Sequence, residues 1–183
     1  MRSKSTALLN ILAAANRTDA SSAEDLCREQ LSNVSRWELR SAYEQAGPER
    51  PYPRTLPNGC YFLCVLGAGP VPKELKLVPW DGKCFLGNGS IINRFGQAGK
   101  ACPAHPVKAL TAHYEVGPSW ADPAHGGAVV IQYSGLVSPM RDELRDAGDA
   151  DGFADLHDTW LGKFYLNKVQ VVDFALLPVM CNS

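Results

Sequence analysis

The chain contains no apolar run long enough to cross a membrane as a helix, which takes about 18 to 20 residues. Its longest apolar stretch, 169–180, is interrupted by Gln170, Asp173 and Pro178. The 183 residues carry a formal net charge of −1, with acidic and basic residues interspersed, so the basic face typical of a nucleic-acid-binding protein is missing. We therefore expect no transmembrane segment and no nucleic-acid partner, in a chain long enough for one main domain.

Motifs for catalysis, nucleotides and metals are also missing. The chain has no Gly-x-Ser-x-Gly elbow, no P-loop and no glycine fingerprint for dinucleotides. The four histidines are scattered and no Cys-x-x-Cys pair occurs, which argues against zinc. The acidic stretch 146–158 lacks the ordered ligand spacing of a calcium loop, so we expect a solvated, mobile loop there. The sequence predicts no catalytic residue, no metal ligand and no cofactor apart from a bound apolar ligand.

The cysteines are few for the length of the chain. Six cysteines in 183 residues are too sparse for a small disulfide-rich scaffold. Cys60 and Cys64 are four residues apart and would share one face of a strand. We expect reduced thiols that pack as small hydrophobic side chains, in a reducing compartment. A redox or metal pair at Cys60 and Cys64 is the alternative.

Residues 1–46 form a predicted N-terminal helical segment. A short apolar stripe lies at Leu8, Leu9, Ile11 and Leu12. Ser21 with Glu24 three residues later is typical of a capping box and predicts a second helix. That helix would carry apolar side chains at helical spacing, namely Leu26, Cys27, Leu31, Val34 and Trp37. We expect these helices to pack over or beside the next domain.

Residues 47–57 are a predicted linker, since prolines occupy four of these positions. From residue 58 to 183 the pattern changes to short strand-like runs separated by glycine-, proline- and asparagine-containing turns. The predicted runs are 60–66, 75–78, 84–86, 90–95, 107–116, 128–134, 140–145, 159–166 and 169–177. Eight or nine short strands predict an antiparallel sandwich or barrel. A barrel of this size has no edge strands and can hold one small ligand.

The run Met140–Arg145 alternates like a strand but has charges on both faces. One face would carry Arg141, Glu143 and Arg145, and the other Asp142, Leu144 and Asp146. An ordinary half-buried strand has one apolar face. This strand is therefore expected either to be solvated on both sides or to place its charges at a polar end of a hollow barrel.

Aromatic residues within or beside the predicted strands supply the candidate ligand-binding set. In a small barrel most aromatic side chains fill the core, but a subset could line a cavity for a flat, apolar ligand. Arginines at the barrel rim would then meet a polar head group. The candidates are Trp80, Phe85, Phe95, Trp120, Tyr133, Arg141, Arg145, Trp160 and Phe164.

Several segments resemble the plastid-lipid-associated proteins, or fibrillins. These are Leu8–Arg17, Leu56–Leu63, Ile91–Phe95, Asp142–Arg145 and Val172–Leu176. Tyr61 stands near the position where that family has a tryptophan in its first strand, and the segment from Arg145 to Phe174 is longer than in the family. The resemblance implies a calycin-type barrel, binding of lipids, quinones or carotenoids, and a plastid location on thylakoids or lipid globules. It implies no catalytic residues.

A second resemblance covers overlapping positions. Trp80–Phe85, Asn93–Phe95, Arg141–Arg145 and Trp160–Lys163 are similar to lipocalin-like proteins related to the GXWXG group. Both resemblances imply the same architecture. We expect a mainly β protein, namely an antiparallel lipocalin-like (calycin) β-barrel of about eight or nine strands with an N-terminal helical appendage.

The expected function is non-enzymatic binding of a hydrophobic small molecule, such as a lipid, quinone or carotenoid, or peripheral association with a membrane protein complex. A plastid location, in the stroma or on the thylakoid surface, fits the resemblance. It also fits residues 1–18, which carry basic residues and no acidic ones. The cytoplasm is the alternative location.

Two other functions stay open. The protein is a structural subunit of a larger photosynthetic or organellar assembly if the barrel is filled and the helices and the loop 146–159 make the contacts. It is an enzyme on a barrel scaffold if His113 meets a carboxylate such as Glu115 or Asp142 inside a cavity for proton transfer.

Overall fold

A computed structural model describes residues 5–15, 27, 29, 31–46, 56–66, 80–95, 112–120, 127–150 and 153–178. Several predictions fall outside these residues. They are most of the linker, the strand at 75–78, the capping box of Ser21 and Glu24, and the environment of Cys102 and Cys181.

The body of the protein is a closed antiparallel barrel of eight strands in chain order. The strands are β1 (Gly59–Leu66), β2 (Trp80–Phe85), β3 (Ser90–Phe95), β4 (Ala112–Pro118), β5 (Gly127–Tyr133), β6 (Met140–Asp146), β7 (Trp160–Leu166) and β8 (Val169–Pro178). β1 pairs with both β2 and β8, which closes the barrel. The prediction of a mainly β, antiparallel barrel is confirmed.

Local sequence accounts for the tightest connection between strands. β7 and β8 are joined by Asn167 and Lys168, whose φ values are 50° and 68°. Two-residue hairpin loops favour such positive φ angles because their twist matches that of the strands, and asparagine tolerates this conformation better than most residues. The turn fixes the register in which Leu166 lies opposite Val169.

Side chains alternate between the barrel interior and the outer face. The interior holds an apolar cluster formed by Tyr61, Phe85, Ile91, Ala112, Val129, Ile131, Tyr133, Leu144, Trp160, Phe164, Phe174 and Leu176. Gly162 of β7 makes room for one of them. A Cβ atom at Gly162 would lie 2.3 Å from the Phe174 ring, so the missing side chain lets this ring cross the interior.

Two short helices, α1 (Ser5–Ala15) and α2 (Arg36–Gln45), pack on the outer face of the barrel. Their contacts form a second apolar cluster, which includes Leu8, Leu9, Leu12, Leu39, Cys64, Leu161, Ala175 and Leu177. α2 begins with a capping box: Ser35 Oγ accepts the Glu38 N–H at 3.3 Å, and Glu38 Oε2 accepts the Ser35 N–H at 3.0 Å. This box satisfies backbone donors at the start of the helix.

The predicted apolar stripe of the second helix is wrong at its end. Residues Leu31–Asn33 form a short 3₁₀ turn, and α2 begins only after Ser35. The break changes the helical phase, so Leu31 and Val34 are buried while Trp37 is 60% exposed. Trp37 is therefore a surface residue and does not pack against the barrel.

The expectation of reduced thiols is wrong for four cysteines. Cys60 and Cys84 are directly opposite each other in β1 and β2 and form a disulfide, with Cα atoms 4.0 Å apart. Cys64 forms a second disulfide with Cys27, which ties the segment before α2 to β1. Cys60 and Cys64 do share the outer face of β1. Each, however, meets a partner far away in sequence, which their spacing could not show.

The acidic segment after β6 is packed, contrary to the prediction of a solvated, mobile loop. Asp146, Gly148 and Leu156 are buried. Asp146 accepts the Gly148 N–H at 2.9 Å and its other carboxylate oxygen lies 3.2 Å from His157 Nδ1. A Cβ atom at Gly148 would lie 2.5 Å from the His157 backbone nitrogen. On both sides of residues 151–152, which lie outside the described residues, this connection is packed against itself, although Asp155 and Asp158 are exposed.

Candidate ligand-binding site

Both faces of β6 are buried. Every residue from Asp142 to Asp146 is buried, although four of the five are charged. The first expected alternative, a strand solvated on both sides, is therefore wrong. Because burying an unpaired charge is costly, each face must supply partners.

On the inner face, Asp142 belongs to a cluster that we call the interior polar group: Lys83, Asn93, Tyr133 and Asp142. Lys83 Nζ lies 2.9 Å from Asn93 Oδ1, 2.6 Å from Tyr133 Oη and 2.8 Å from Asp142 Oδ2. Tyr133 Oη also donates to Asp142 Oδ2 at 2.6 Å. All four residues are buried. Buried polar groups in such networks stabilise one arrangement of the chain when each partner is satisfied.

Strand pairing places these side chains together. Lys83 of β2 lies directly opposite Asn93 of β3. Asp142 of β6 lies opposite Ile131 of β5, two residues from Tyr133 and on the same face. The interior polar group therefore connects the β2–β3 hairpin with the β5–β6 hairpin.

The charges within the interior polar group are balanced. The ammonium of Lys83 faces the carboxylate of Asp142, as buried ionised groups require. Burial raises the pKa of the Tyr133 phenol well above its ordinary value, the negative charge of Asp142 and the hydrogen bond to it add to this, and a hydrogen-bonding contact from the Asn93 amide opposes it. Tyr133 stays neutral at physiological pH and continues to donate its proton to Asp142.

Lys83 orients the Asn93 amide. Because an ammonium can only donate, the amide atom that faces Lys83 must be Oδ1, so Nδ2 is the atom turned elsewhere. Nδ2 is buried close to the Tyr133 hydroxyl and lowers the pKa of that phenol, in a contact that is not a well-formed hydrogen bond.

The two ends of the barrel differ. At the end where the chain enters β1, which we call the aromatic end, Phe85 makes edge-to-face contacts with Tyr61 and Tyr114 at 5.5 and 5.3 Å. Trp160 is fully buried at the same end. Large aromatic side chains thus fill this end of the interior.

We call the opposite end the polar end; it contains the β5–β6 and β7–β8 connections. The interior polar group lies toward it, because Tyr133 is the last residue of β5 and Asp142 the third of β6. Val65, which alternates with Tyr61 and Leu63 on the inner face of β1, is 37% exposed there. The inner wall is therefore in contact with solvent at the polar end.

A cleft of about 310 Å³ opens at the polar end. Its lining includes Trp120, Tyr133, Met140, Arg141 and Lys168. The Arg141 guanidinium stacks on the Trp120 ring at 4.2 Å. Tyr133 is the one member of the interior polar group that lines this cleft, and Gln132 and Arg141 line it from the outer face.

The outer face of β6 carries a different set of charges, which we call the outer charged cluster: Arg141, Glu143, Arg145, Lys163 and Asp173. Glu143, Lys163 and Asp173 lie side by side across β6, β7 and β8. Arg141 Nη2 lies 3.0 Å from Glu143 Oε1, and Lys163 Nζ lies 2.8 Å from Asp173 Oδ1. The first ion pair lies along β6, and the second joins β7 to β8.

Segments outside the barrel cover this cluster. The ring of Tyr43 on α2 lies 4.6 Å from the Arg145 guanidinium and 4.8 Å from Lys163 Nζ, and Arg145 Nη1 donates to the Tyr43 carbonyl at 3.1 Å. The residues after β4 cover the other side: Ser119 Oγ and the Trp120 N–H both donate to Glu143 at 2.7 Å. The outer charged cluster attaches α2 and the chain after β4 to the barrel.

The structure separates the sequence-predicted site residues. Phe85 and Trp160 fill the aromatic end, and Phe164 is buried in the interior. Tyr133 belongs to the interior polar group. The side chains of Trp80 and Phe95 lie outside the described part of the structure.

The two arginines have different environments. Arg141 lines the cleft at the polar end and pairs with Glu143 on the outer face of β6. Arg145 lies on the outer face, buried beneath Tyr43. Its place at the barrel rim was a wrong expectation, because the sequence does not show that α2 covers this part of β6.

Sequence reasoning missed Lys83 and Asn93. A signal was present, since Lys83 shares its strand face with Phe85, and Asn93 shares its face with Ile91. Polar residues on the apolar face of two paired strands indicate a buried polar contact. Asp142 was considered only as a partner for His113.

His113 does not meet Asp142. It lies on the outer face of β4 and is exposed, whereas Asp142 is inside the barrel. Glu115 is also exposed and accepts a hydrogen bond from Gln132 at 3.0 Å. In the described part of the chain, no group of three or more His, Cys, Asp or Glu residues is placed to hold a metal ion.

Comparison with known proteins supports the fold alone. The chain matches no known protein family and no curated protein sequence. It is similar to a crystal structure described as "protein from Thermomonospora curvata", with a TM-score of 0.52 and 14% sequence identity over 96% of this chain and 98% of the other. Among the described residues, no helix is long and apolar enough to cross a membrane.

Proposed function

We propose that the barrel binds a small, largely apolar molecule of the lipid, quinone or carotenoid kind in the polar end of its interior, without changing it chemically. The observation that supports this best is the inner wall at the polar end, where Val65 faces the interior and is 37% exposed. A largely apolar molecule with one polar group would fit this wall and the interior polar group beside it.

The opposite part of the inner wall is apolar. Leu63 and Val65 of β1, Phe164 of β7 and Val172 of β8 face the interior near the polar end, and Leu63, Val65 and Val172 remain partly or largely exposed. Covering apolar surface contributes about 25 cal/mol per Å². The hydrocarbon part of a ligand placed against these side chains would provide most of the affinity.

The cleft at the polar end would provide the entrance. Met140 and Tyr133 continue from the cleft to the interior, and Trp120 with Arg141 forms its outer side. Entry at the polar end is consistent with the packing of the opposite, aromatic end, where Phe85, Tyr61 and Trp160 fill the interior.

The disulfides bear on where the protein works. Disulfides persist in oxidising compartments and are rare in reducing ones, and Cys27–Cys64 and Cys60–Cys84 are both formed. We therefore propose an oxidising compartment in place of the stroma or cytoplasm expected from the sequence. In a plastid this would be the thylakoid lumen.

Peripheral contact with a membrane is a second candidate function. At the tip of the β7–β8 hairpin Leu166 and Val169 are 42% and 66% exposed, beside the exposed Lys168. Apolar side chains with an adjacent cation are suited to the surface of an anionic bilayer. The tip lies at the polar end, where a ligand would enter from the bilayer.

Ligand titration followed by tryptophan fluorescence tests the binding proposal. The Trp37→Phe variant removes the most exposed reporter on α2 and keeps Trp80, Trp120 in the cleft and Trp160 inside the barrel. We expect saturable fluorescence changes with at least one lipid, quinone or carotenoid. Absence of a saturable response to all of these classes would contradict the proposal.

A matched pair of valine substitutions separates the two candidate functions. Val65→Glu places a charge on the inner wall, and Val169→Glu places the same charge on the hairpin tip. If the interior binds the ligand, Val65→Glu loses binding of the free ligand and Val169→Glu keeps it. If the tip contacts membranes, sedimentation with anionic vesicles is weakened by Val169→Glu and not by Val65→Glu.

A further inference from the structure

We propose that the cleft at the polar end binds the phosphomonoester of a lipid head group when the tip of the β7–β8 hairpin contacts a bilayer. This inference rests on the second candidate function, contact with a membrane, and names the head group that this contact recognises. It follows from the charges that line the cleft, from the donors that they leave unused and from the apolar side chains at the tip.

The cleft has room for a head group. Its volume of about 310 Å³ lies at the lower end of the range of small-molecule pockets, about 300–1,000 Å³. The Asn167 N–H donates to the Pro139 carbonyl at 3.1 Å, and both residues line the cleft. This hydrogen bond fixes the hairpin tip against the β5–β6 connection, so two walls of the cleft are held together.

The charged side chains that line the cleft are cationic. Among the described lining residues, Arg141 and Lys168 carry charge, and no carboxylate is present. Ser138 and Asn167, which also line it, are uncharged and have side-chain donors. An anion in the cleft would therefore be surrounded by donors and by two positive charges.

Lys168 is the freer of the two cations. It is exposed in the two-residue turn, and no other described residue holds its ammonium in a hydrogen bond or an ion pair. An ammonium has three donors, and here all of them are open to an incoming acceptor. Binding an anion therefore breaks no existing contact of Lys168 with the described residues.

Arg141 is oriented by its neighbours and keeps one amino group unused. Nε donates to Glu143 Oε1 at 3.1 Å, and Nη2 donates to the Pro118 carbonyl at 2.5 Å. The Trp120 ring stacks on the guanidinium. Nη1 makes no hydrogen bond with a described residue. A guanidinium held in this way is suited to a phosphate oxygen, because its donors are already positioned.

Glu143 offsets only part of the positive charge near the cleft. The outer charged cluster, to which it belongs, has three cationic and two anionic side chains, so one positive charge is left over before Lys168 is counted. Glu115 lies beside the cleft, where it accepts the Gln132 amide at 3.0 Å. It is exposed, so water and salt screen its charge.

A phosphomonoester matches this arrangement better than a carboxylate or a phosphodiester. It carries a charge of about −1.5 to −2 near neutral pH and has three strong acceptor oxygens. Arg141 Nη1 and the Lys168 ammonium can each bind a different oxygen. A diester or a carboxylate has one negative charge and leaves one of the two cations without a matching charge.

The apolar side chains at the tip favour a lipid over a soluble phosphate ester. Leu166 and Val169 precede and follow the turn that contains Lys168, and both are exposed. They are covered when the tip enters the boundary between head groups and acyl chains. Trp120, which is also partly exposed, is of the residue type enriched at that boundary. A soluble ester would leave all three in water.

Vesicle sedimentation tests the inference. Phosphatidylcholine vesicles contain either phosphatidic acid, which is a phosphomonoester, or phosphatidylglycerol, which is a diester, in amounts that give equal zeta potential. We expect the full chain to bind the phosphatidic acid vesicles about tenfold more tightly, the size of effect that one charge-assisted hydrogen bond gives. Glycerol 3-phosphate in solution should bind far more weakly than these vesicles.

Lys168→Asn is the informative variant, because it removes the ammonium and asparagine tolerates the φ of 68° at this position. It should lose most of the preference for phosphatidic acid. Arg36→Gln is the matched control: it removes one positive charge from an exposed position on α2, outside the cleft, and should keep the preference. Val169→Ser should weaken binding to both kinds of vesicle by a similar factor.

The outcomes separate the head-group inference from membrane contact. Equal binding of both kinds of vesicle by the wild type, or an unchanged preference in Lys168→Asn, overturns the head-group inference and leaves membrane contact standing. Failure to bind either kind overturns membrane contact as well. Glycerol 3-phosphate that binds as tightly as the phosphatidic acid vesicles would make a soluble ester the ligand and overturn the choice of a lipid. If Lys168→Asn does not fold by circular dichroism, the wild-type ratio and the glycerol 3-phosphate titration decide.

Discussion

The two faces of β6 carry buried charges that are satisfied in different ways. On the outer face, Glu143 and Arg145 bond largely to groups of the covering segments, including the Trp120 N–H and the Tyr43 carbonyl. On the inner face, Asp142 meets the side chains of Lys83 and Tyr133. The buried charges of the outer face thus join layers of the fold, whereas those of the inner face build a polar surface inside the barrel.

The distances along the chain support this division. Arg145 bonds to a residue 102 positions away, on a helix outside the barrel. The residues of the interior polar group all belong to the barrel strands. The outer cluster is therefore suited to joining the covering segments to the barrel, and the inner group to lining the interior.

The largest expected effect comes from breaking the inner ion pair. Lys83→Met leaves Asp142 buried without its cation, and we expect the free energy of unfolding to fall by about 3–5 kcal/mol. Urea denaturation measures this. The double variant Lys83→Met with Asp142→Leu removes both charges and should recover a large part of the loss. A single variant as stable as the wild type would contradict a buried ion pair here.

A smaller effect is expected on the outer face. Arg145→Met removes the hydrogen bond to the Tyr43 carbonyl and the stacking on its ring, and we expect a loss of about 2 kcal/mol. Hydrogen exchange of the α2 amides should accelerate more than that of the barrel strands. Ligand binding should stay unchanged, because Arg145 does not reach the interior. If Arg145→Met and Lys83→Met lost ligand binding equally, the proposed difference in role between the outer and inner faces of β6 would be wrong.

The smallest effect at neutral pH concerns two tyrosines, one at each face. Burial, with Asp142 for Tyr133 and Glu143 for Tyr43, raises both phenol pKa values in the folded protein. A raised folded pKa gives stability that is complete below the unfolded value of about 10 and is lost as pH increases above it. We therefore expect no change near neutrality and cooperative unfolding in strong alkali.

Phenolate absorbance and circular dichroism recorded together check this expectation. Ionisation of the buried tyrosines should coincide with loss of the folded signal, and Tyr133→Phe and Tyr43→Phe should each reduce the alkaline sensitivity. One outcome would contradict this expectation. If phenolate forms while circular dichroism is still native, and Tyr133→Phe and Tyr43→Phe abolish that phenolate, these hydroxyls are accessible in the folded protein.

Alternation along β6 was predictable from the sequence, and so was the barrel. The period of two placed Asp142 and Arg145 on opposite faces, as observed. What covers each face was not predictable, because the covering residues, such as Tyr43, come from distant segments. The interpretation of Arg145 as a rim residue failed for this reason.

Prediction of the helical segment from the sequence was limited as well, here over shorter distances along the chain. The spacing of Ser21 and Glu24 that suggested a capping box also occurs at Ser35 and Glu38, and the latter pair caps α2. The Ser35–Glu38 box was not predicted, and Ser21 and Glu24 lie outside the described residues. The candidate site was found only in part: Tyr133 was predicted from its aromatic ring, whereas Lys83 and Asn93 needed the register of β2 and β3.

The pairing of β1 with β8 has a consequence for how the chain folds. Tyr61 lies opposite Pro178, so the first and last strands meet across almost the entire barrel sequence. A ribosome must release nearly the whole barrel before this contact can form, and contacts between distant residues generally form slowly. The β1–β2 pair, joined by Cys60 and Cys84, needs far less chain. The β1–β2 pair would therefore form before β8 is available. During synthesis the β1 edge that later pairs with β8 would be exposed, and chaperones and disulfide-forming enzymes could reach it.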